Sequence, residues 1–335
     1  MTQSGEISFE LPFAKFHAAG NDFIVVPEND IRKLLEHARG VLGEMSPEDT
    51  APNRFLLLRS SMLARQICDR HTGIGADGLI LLREPSGRRH LGKIRIRNSD
   101  GSEAEMSGNG IRCAAAYILD SARQRLESKP GNKQAQRVSR LRELRIETPA
   151  GVKSLQMLEA DKGHWVFRVA MGEPILQAKK IPFKASTGHS PVIGFPLETS
   201  RGILKVTVTS MGNPHCTVPV SDFDAFDWAD LGREIESNEL FPNRTNVEFV
   251  RVISKDEIEV RFWERGVGKT QSSGTGSCAA VVACVLNGLT SRKVRAQTLA
   301  GALDVAWPEG KEVTLTGPVE LIARGTYYFS NRRDR

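Results

Sequence analysis

Apolar positions along the chain fall mostly in short runs separated by glycine-rich turns, with a few helical stretches between them. Phe13 to Val26 (FAKFHAAGNDFIVV) sets two β-type runs on either side of Gly20-Asn21-Asp22, a hairpin pattern. Leu79 to Leu82 and Lys93 to Asn98 (KIRIRN) read as strands, the second alternating basic and apolar positions. Leu144 to Thr148 is another, and the second half predicts strands at 152–158, 164–170, 203–209, 247–253 and 257–263. Helical stretches are expected over Met62–Asp69, Ile111 to about Ala122, and Cys278–Leu286. The second carries a narrow face of Ala114, Ala115 and Ala116. The third (CAAVVACVL) is apolar nearly all round and so should be buried on every side. Residues 28–61, polar and then mixed with Pro47 and Pro52, read as a surface insertion, as does the stretch near 120–142.

One short phrase occurs twice. Ser107-Gly108-Asn109-Gly110-Ile111-Arg112-Cys113-Ala114-Ala115 is echoed by Ser273-Gly274-Thr275-Gly276-Ser277-Cys278-Ala279-Ala280. Each is a glycine-rich turn opening a helix of small residues. Glycine lets the backbone approach a ligand, and the free N–H groups of a helix's first turn form an anion site. Two such turns predict two matching lobes that present helix N-termini to one small anionic ligand. The fold class expected is α+β, with two pseudo-symmetric lobes, each a curved, mostly antiparallel sheet around a central helix. Pro149-Ala150-Gly151 suggests the limit between them, giving a first lobe over 1–148 and a second over 149–318.

Two glycine runs are decoys. Gly73-Ile74-Gly75-Ala76-Asp77-Gly78 has dinucleotide-site spacing, but a helix precedes it and a strand follows, the reverse of what that site needs. Gly266-Val267-Gly268-Lys269-Thr270 ends like a phosphate loop, yet Trp263 stands where its first glycine belongs. The 335 residues favour two domains. No apolar run is long enough to span a bilayer, and the N-terminus lacks the pattern of a secretory signal, so a cytoplasmic protein is expected. Five cysteines without a C-x-x-C pair indicate neither a disulfide framework nor a zinc site. Much of the +6 net charge lies between Arg123 and Arg145. Without interleaved aromatics this reads as a solvated face, not a nucleic-acid surface.

The pieces AAGNDFIVV, CDRHTGIGADGLILL, RNSDGSEAEMSGNGIRCAA, MGNPHC, RTNVEFV and ERGVGKTQSSGTGSCAA occur in this order between Phe13 and about Gly317. On these the chain resembles the diaminopimelate epimerases, and more broadly the cofactor-independent amino-acid epimerases and racemases of the same fold. The resemblance implies inversion of an amino-acid α-carbon, LL- to meso-diaminopimelate, in lysine and cell-wall precursor synthesis. It implies no cofactor and no metal, a small amino-acid substrate as partner, and room for a homodimer. It also implies that 319–335 returns to the first lobe. By motif, substrate contacts would fall at Asn21, Asn98, Asn213, Asn246, Glu264 and Arg265. Backbone N–H groups of Gly108, Asn109, Gly274 and Thr275 would hold the α-carboxylate, and His215 would lie beside the reacting carbon.

The resemblance places a catalytic cysteine immediately before each Gly-x-Gly turn, and both positions here are serine, Ser107 and Ser273. A thiol has an ordinary pKa of about 8.5, lowered further at a helix N-terminus. A hydroxyl releases its proton far less readily, so a serine pair supplies an acid but almost no base. Lys269 also departs from the family pattern, which has glutamate there. Four readings stay open. Another group, His215 or Glu264, activates a serine. The site runs a different isomerisation or an elimination from one face. It binds an amino acid without turnover. Or the serines were introduced to trap a ligand, against which Lys269 argues.

Overall fold

The computed structural model describes residues 8–33, 52–104, 107–184 and 190–330. The expected N-terminal hairpin is β1 (Ser8–Ala18) and β2 (Asn21–Pro27). Its turn is Ala19-Gly20, both at positive φ (49° and 76°), the geometry of a tight two-residue hairpin turn, so Asn21 already opens the second strand. Helix α1 (Pro52–Ile67) begins well before the stretch expected at Met62, and much of the insertion expected over 28–61 lies outside the described residues. The loop over 68–77 leads into β3 (Gly78–Arg83), so the first glycine run follows a helix and precedes a strand.

β3 pairs in parallel with β2 and antiparallel with β4 (Gly92–Asn98). β4 carries the short β5 (Glu103–Ala104) on one side and runs parallel to β6 (Glu143–Thr148). β6, β7 (Gly151–Asp161) and β8 (His164–Gly172) form an antiparallel meander. The long β17 (Val313–Ser330) pairs with β8 through one half and with β1 through the other, closing a barrel. Inside it lies α2 (Gly108–Ser128), which packs on β1, β2, β3, β4, β6, β8 and β17.

The second half repeats the path. β10 (Gly202–Ser210) and β11 (Pro214–Pro219) form a hairpin, with β9 (Val192–Thr199) added outside β10. β11 runs parallel to β12 (Asn246–Val252), which turns antiparallel into β13 (Glu257–Glu264). β13 carries the short β14 (Gly268–Thr270) and runs parallel to β15 (Lys293–Thr298). β15, β16 (Gly301–Ala306) and the start of β17 form the closing meander. The order of parallel and antiparallel neighbours is that of the first lobe, strand for strand. The sheet wraps α5 (Gly274–Leu286), whose residues from Gly274 to Cys284 are all buried. One apolar core runs through both lobes, from Ala114–Ala116 of α2 to Cys278–Val282 of α5.

Pro149-Ala150, at the expected limit between the lobes, is the turn of the β6–β7 hairpin, and β8 pairs onward with β17. A hairpin turn and a linker share the same breaker residues, and only the cross-strand pairing separates them. The stretch expected as an insertion near 120–142 is the last turns of α2 and a short helix, α3 (Lys133–Ser139), capped by Asn132 Oδ1 accepting from Ala135 N–H. The eight basic side chains from Arg123 to Arg145 are exposed there. MGNPH turns at Gly212 and enters β11 at Pro214. Helix α4 (Trp228–Glu236), begun by Asp227 accepting from Ala229 and Asp230 N–H, was not legible as a helix. Among the described residues no helix is long and apolar enough to cross a membrane, and no three His, Cys, Asp or Glu side chains could together hold a metal.

Candidate active site

The two repeated phrases meet. Ser107 and Ser273 are the N-caps of α2 and α5, with nearly identical backbones (φ −136°, ψ 117° and φ −136°, ψ 125°). Ser107 Oγ accepts from Gly110 N–H at 3.0 Å, and Ser273 Oγ from Gly276 N–H at 3.3 Å. The next N–H groups, of Ile111 and Ser277, bond back to the carbonyls of Ser107 and Ser273. That leaves the N–H groups of Gly108, Asn109, Gly274 and Thr275 without acceptors in their own helices. A Cβ on Gly274 would stand 3.0 Å from Gly108 Cα, and one on Gly108 would stand 3.4 Å from Gly274 Cα. Glycine is therefore required for the helix ends to touch. Gly274→Ala is expected to force the helices apart and lower stability by roughly 1–3 kcal/mol, the usual cost of overpacking a tight contact. A thermal melt indistinguishable from that of the unmodified protein would show the contact has slack.

Over this junction lies a cavity of about 620 Å³. Asn21, Asn98, Ser107, Gly108 and Asn109 line it from the first lobe. Asn213, Asn246, Glu264, Arg265, Ser273, Gly274 and Thr275 line it from the second. Each side chain is held from behind. Asn21 Nδ2 donates to Asp77 Oδ2 at 2.7 Å, and Asp77 is gripped by Arg70, which also bridges to Asp22. Asn98 Nδ2 donates to Ser102 Oγ within its own turn. Asn246 Oδ1 accepts from Arg265 N–H while its Nδ2 donates to Pro214 O. Glu236 Oε1 accepts from Gly266 N–H, pinning the turn that carries Glu264 and Arg265.

The matching of the lobes is broken at one position. The same interval separates Asn98 from Ser107 and Glu264 from Ser273, and Asn98 and Glu264 end the equivalent strands β4 and β13. One half thus offers an amide where the other offers a carboxylate. Burial pushes the Glu264 carboxyl above the usual carboxylate range, while the Ser273 hydroxyl beside it works in the opposite direction. A carboxyl of raised basicity next to an N-cap serine has the chemistry that a proton-transfer base requires.

The family profile for diaminopimelate epimerase matches residues 13–177 and 207–322. The chain belongs to the diaminopimelate epimerase family. It is 43% identical to the diaminopimelate epimerase of Pelotomaculum thermopropionicum over 315 residues, 94% of this chain and 98% of that one. With the Desulfitobacterium hafniense diaminopimelate epimerase it shares 38% over 317 residues, 94% and 97% of the two chains. Among solved structures it resembles a hydroxyproline epimerase from Agrobacterium vitis, with a TM-score of 0.64 and 14% identity across 96% and 93% of the chains. At that identity the likeness is one of fold.

Within this epimerase-family site, His215 stands apart from the other expected residues. It is fully buried, and both ring nitrogens are engaged, Nδ1 with Glu248 Oε1 at 2.6 Å and Nε2 with Asn213 Oδ1 at 2.9 Å. No nitrogen is left to meet a substrate; the ring instead holds the Asn213 amide. Cys113 and Cys278 are fully buried, and burial pushes both thiols up to about 12, so neither replaces the absent cysteines. Lys269 lines the cavity, and its ammonium lies 5.0 Å from the ring centre of Trp228. Sequence reasoning missed Asp77, set aside with the first glycine run, Arg70, which stands just before that run in CDRHTGIGADGLILL, and Glu248, which stands inside the quoted RTNVEFV. The shared interval before the two serines was the available signal for the Asn98–Glu264 asymmetry.

Proposed function

We propose that this chain epimerises diaminopimelate without a cofactor, in the cavity between lobes that span 8–172 with the end of β17, and 173–319. The observation that supports this reading is the junction of two serine-capped helix N-termini with Glu264 beside one of them. The substrate's α-carboxylate takes the four free N–H groups at the junction. Two helix dipoles then face the carbon at which negative charge develops when its proton leaves. The Glu264 carboxylate removes that proton on the Ser273 side, directly or through the serine hydroxyl, and becomes neutral. The carbanion is reprotonated from the opposite face by the Ser107 hydroxyl; Ser107 then recovers a proton from solvent and Glu264 returns its own to solvent. Inversion in this direction has a base; in the other, proton abstraction must start at Ser107, which has no carboxylate where Asn98 stands. The far end of the substrate, a second amino-acid group, meets Asn213, Asn246 and Arg265. His215 acts through Asn213 as a positioning residue.

Calorimetric titration with LL- and meso-diaminopimelate tests the substrate. Both are expected to bind, and Arg265→Ala and Asn213→Ala are each expected to weaken binding more than tenfold. Unchanged affinity in these variants would remove both residues from the site, and no binding by the unmodified protein would remove diaminopimelate.

A further inference from the structure

Arg112, in the first turn and a half of α2, is among the described residues the largest side chain with essentially no solvent exposure. Nη2 donates to Asn109 Oδ1 at 2.9 Å, while Nε and Nη1 have no partner among the described residues. No carboxylate there pairs with it. Its guanidinium packs where a Cβ on Gly317 of β17 would stand 3.2 Å from Nη2. Burial lowers its pKa only to about 10, so the charge persists at neutral pH. An unpaired buried charge costs several kcal/mol, a cost that core packing alone does not justify, since an apolar side chain of similar volume would avoid it.

The arginine begins a chain of fixed polarity. Arg112 can only donate, so Asn109 must turn its oxygen inward. Asn109 Nδ2 then faces Asn21 Oδ1, a weak contact at 3.4 Å, and Asn21 Nδ2 donates to Asp77 Oδ2 at 2.7 Å. Asp77 can only accept. With a donor at one end and an acceptor at the other, both asparagine amides are locked in one orientation. Each keeps one N–H not used in the chain, and both residues line the cavity.

We propose that Arg112 is a positioning residue for substrate binding: it is the buried cation whose counter-charge is the substrate α-carboxylate at the helix junction, and it sets the donor orientation of Asn109 and Asn21. Arg112 lies four residues into α2 from Gly108, an axial rise of about 6 Å, so its charge adds to the helix dipoles at the junction. The inference rests on the epimerase reading of that junction.

The test is calorimetric binding of LL-diaminopimelate to the full-length protein and three variants. Asn109→Asp gives Arg112 a carboxylate of its own, neutralises it, and leaves the packing in place. Arg112→Met removes the charge at similar volume. Arg112→Lys keeps a charge but loses the fork. Affinity is expected to fall at least tenfold in Asn109→Asp and in Arg112→Met, and less in Arg112→Lys, while melting temperatures of the first two stay at or above that of the unmodified protein. Because the carboxylate introduced by Asn109→Asp would itself repel the substrate carboxylate, support for the inference is read from Arg112→Met, in which a merely structural arginine gives the opposite pattern, lower melting temperature and unchanged binding. Affinity within twofold of the unmodified protein in Asn109→Asp overturns the inference, whether or not Arg112→Met folds. If the unmodified protein itself binds no diaminopimelate, the functional reading fails and takes this one with it. If it binds but the variants match it, only the role of Arg112 fails.

Discussion

Cysteine at both Ser107 and Ser273 is expected to accelerate α-proton exchange on diaminopimelate by about 10²- to 10⁴-fold, the usual worth of a well-placed general base. Both positions are N-caps whose side-chain atom already receives a helix N–H, from Gly110 and from Gly276. That donor and the dipole behind it do little for a hydroxyl, which stays protonated, but lower the pKa of a thiol. The gain should be unequal between the two sites. On the Ser273 side stands Glu264, the proposed base, so Ser273→Cys alone should add little. On the Ser107 side the matching residue is Asn98, so Ser107→Cys alone should supply most of the gain for the direction that starts there. Exchange of each diastereomer's α-proton in D2O, followed by proton NMR, reads both directions. Equal effects of the single variants would contradict the asymmetry.

Glu264→Gln is expected to lower kcat for proton abstraction by about 10²- to 10⁴-fold while changing KM little. The substitution keeps size and hydrogen-bonding capacity and removes only the base. If Glu264 serves instead to bind the substrate's ammonium, KM rises and kcat holds. The pH profile gives a second readout. The base works when ionised, and burial raises its pKa, so the rate should rise with pH through a limb displaced above the ordinary carboxylate range and should fall as pH drops through it. In Glu264→Gln that limb should vanish. A limb that persists belongs to another group.

Much of the architecture could be read from local patterns. The repeated serine phrase announced two lobes, and α5 could be recognised as buried because CAAVVACVL has no polar face. Strands with clear apolar runs, such as β12 and β13, fell where expected. Long-range pairing was not readable from local pattern. β17 is a single strand that serves both lobes; nothing local in residues 313–330 distinguishes its halves, and only the family resemblance indicated that the chain's end returns to the first. The β6–β7 turn looks like a linker for the same reason. In the site, residues on the cavity wall were found because they sit in motifs beside turns. Those that hold them from behind were harder to see. Arg112 and Glu248 are charged residues that are completely buried, which a sequence reader expects at a surface. His215 was placed beside the reacting carbon by the family resemblance alone, yet it stands in β11, one residue past the turn, and is fully buried.

The most direct test is solvent deuterium exchange by the unmodified protein, with LL- and meso-diaminopimelate in D2O and Glu264→Gln and the double cysteine variant alongside. Slow but measurable loss of the α-proton signal is expected with the unmodified protein, none above background with Glu264→Gln, and rapid loss with the double cysteine variant. Exchange by the double cysteine variant alone, with the unmodified protein silent, would contradict the role of Glu264: the cleft would then hold the amino acid without Glu264 and Ser273 acting as a base.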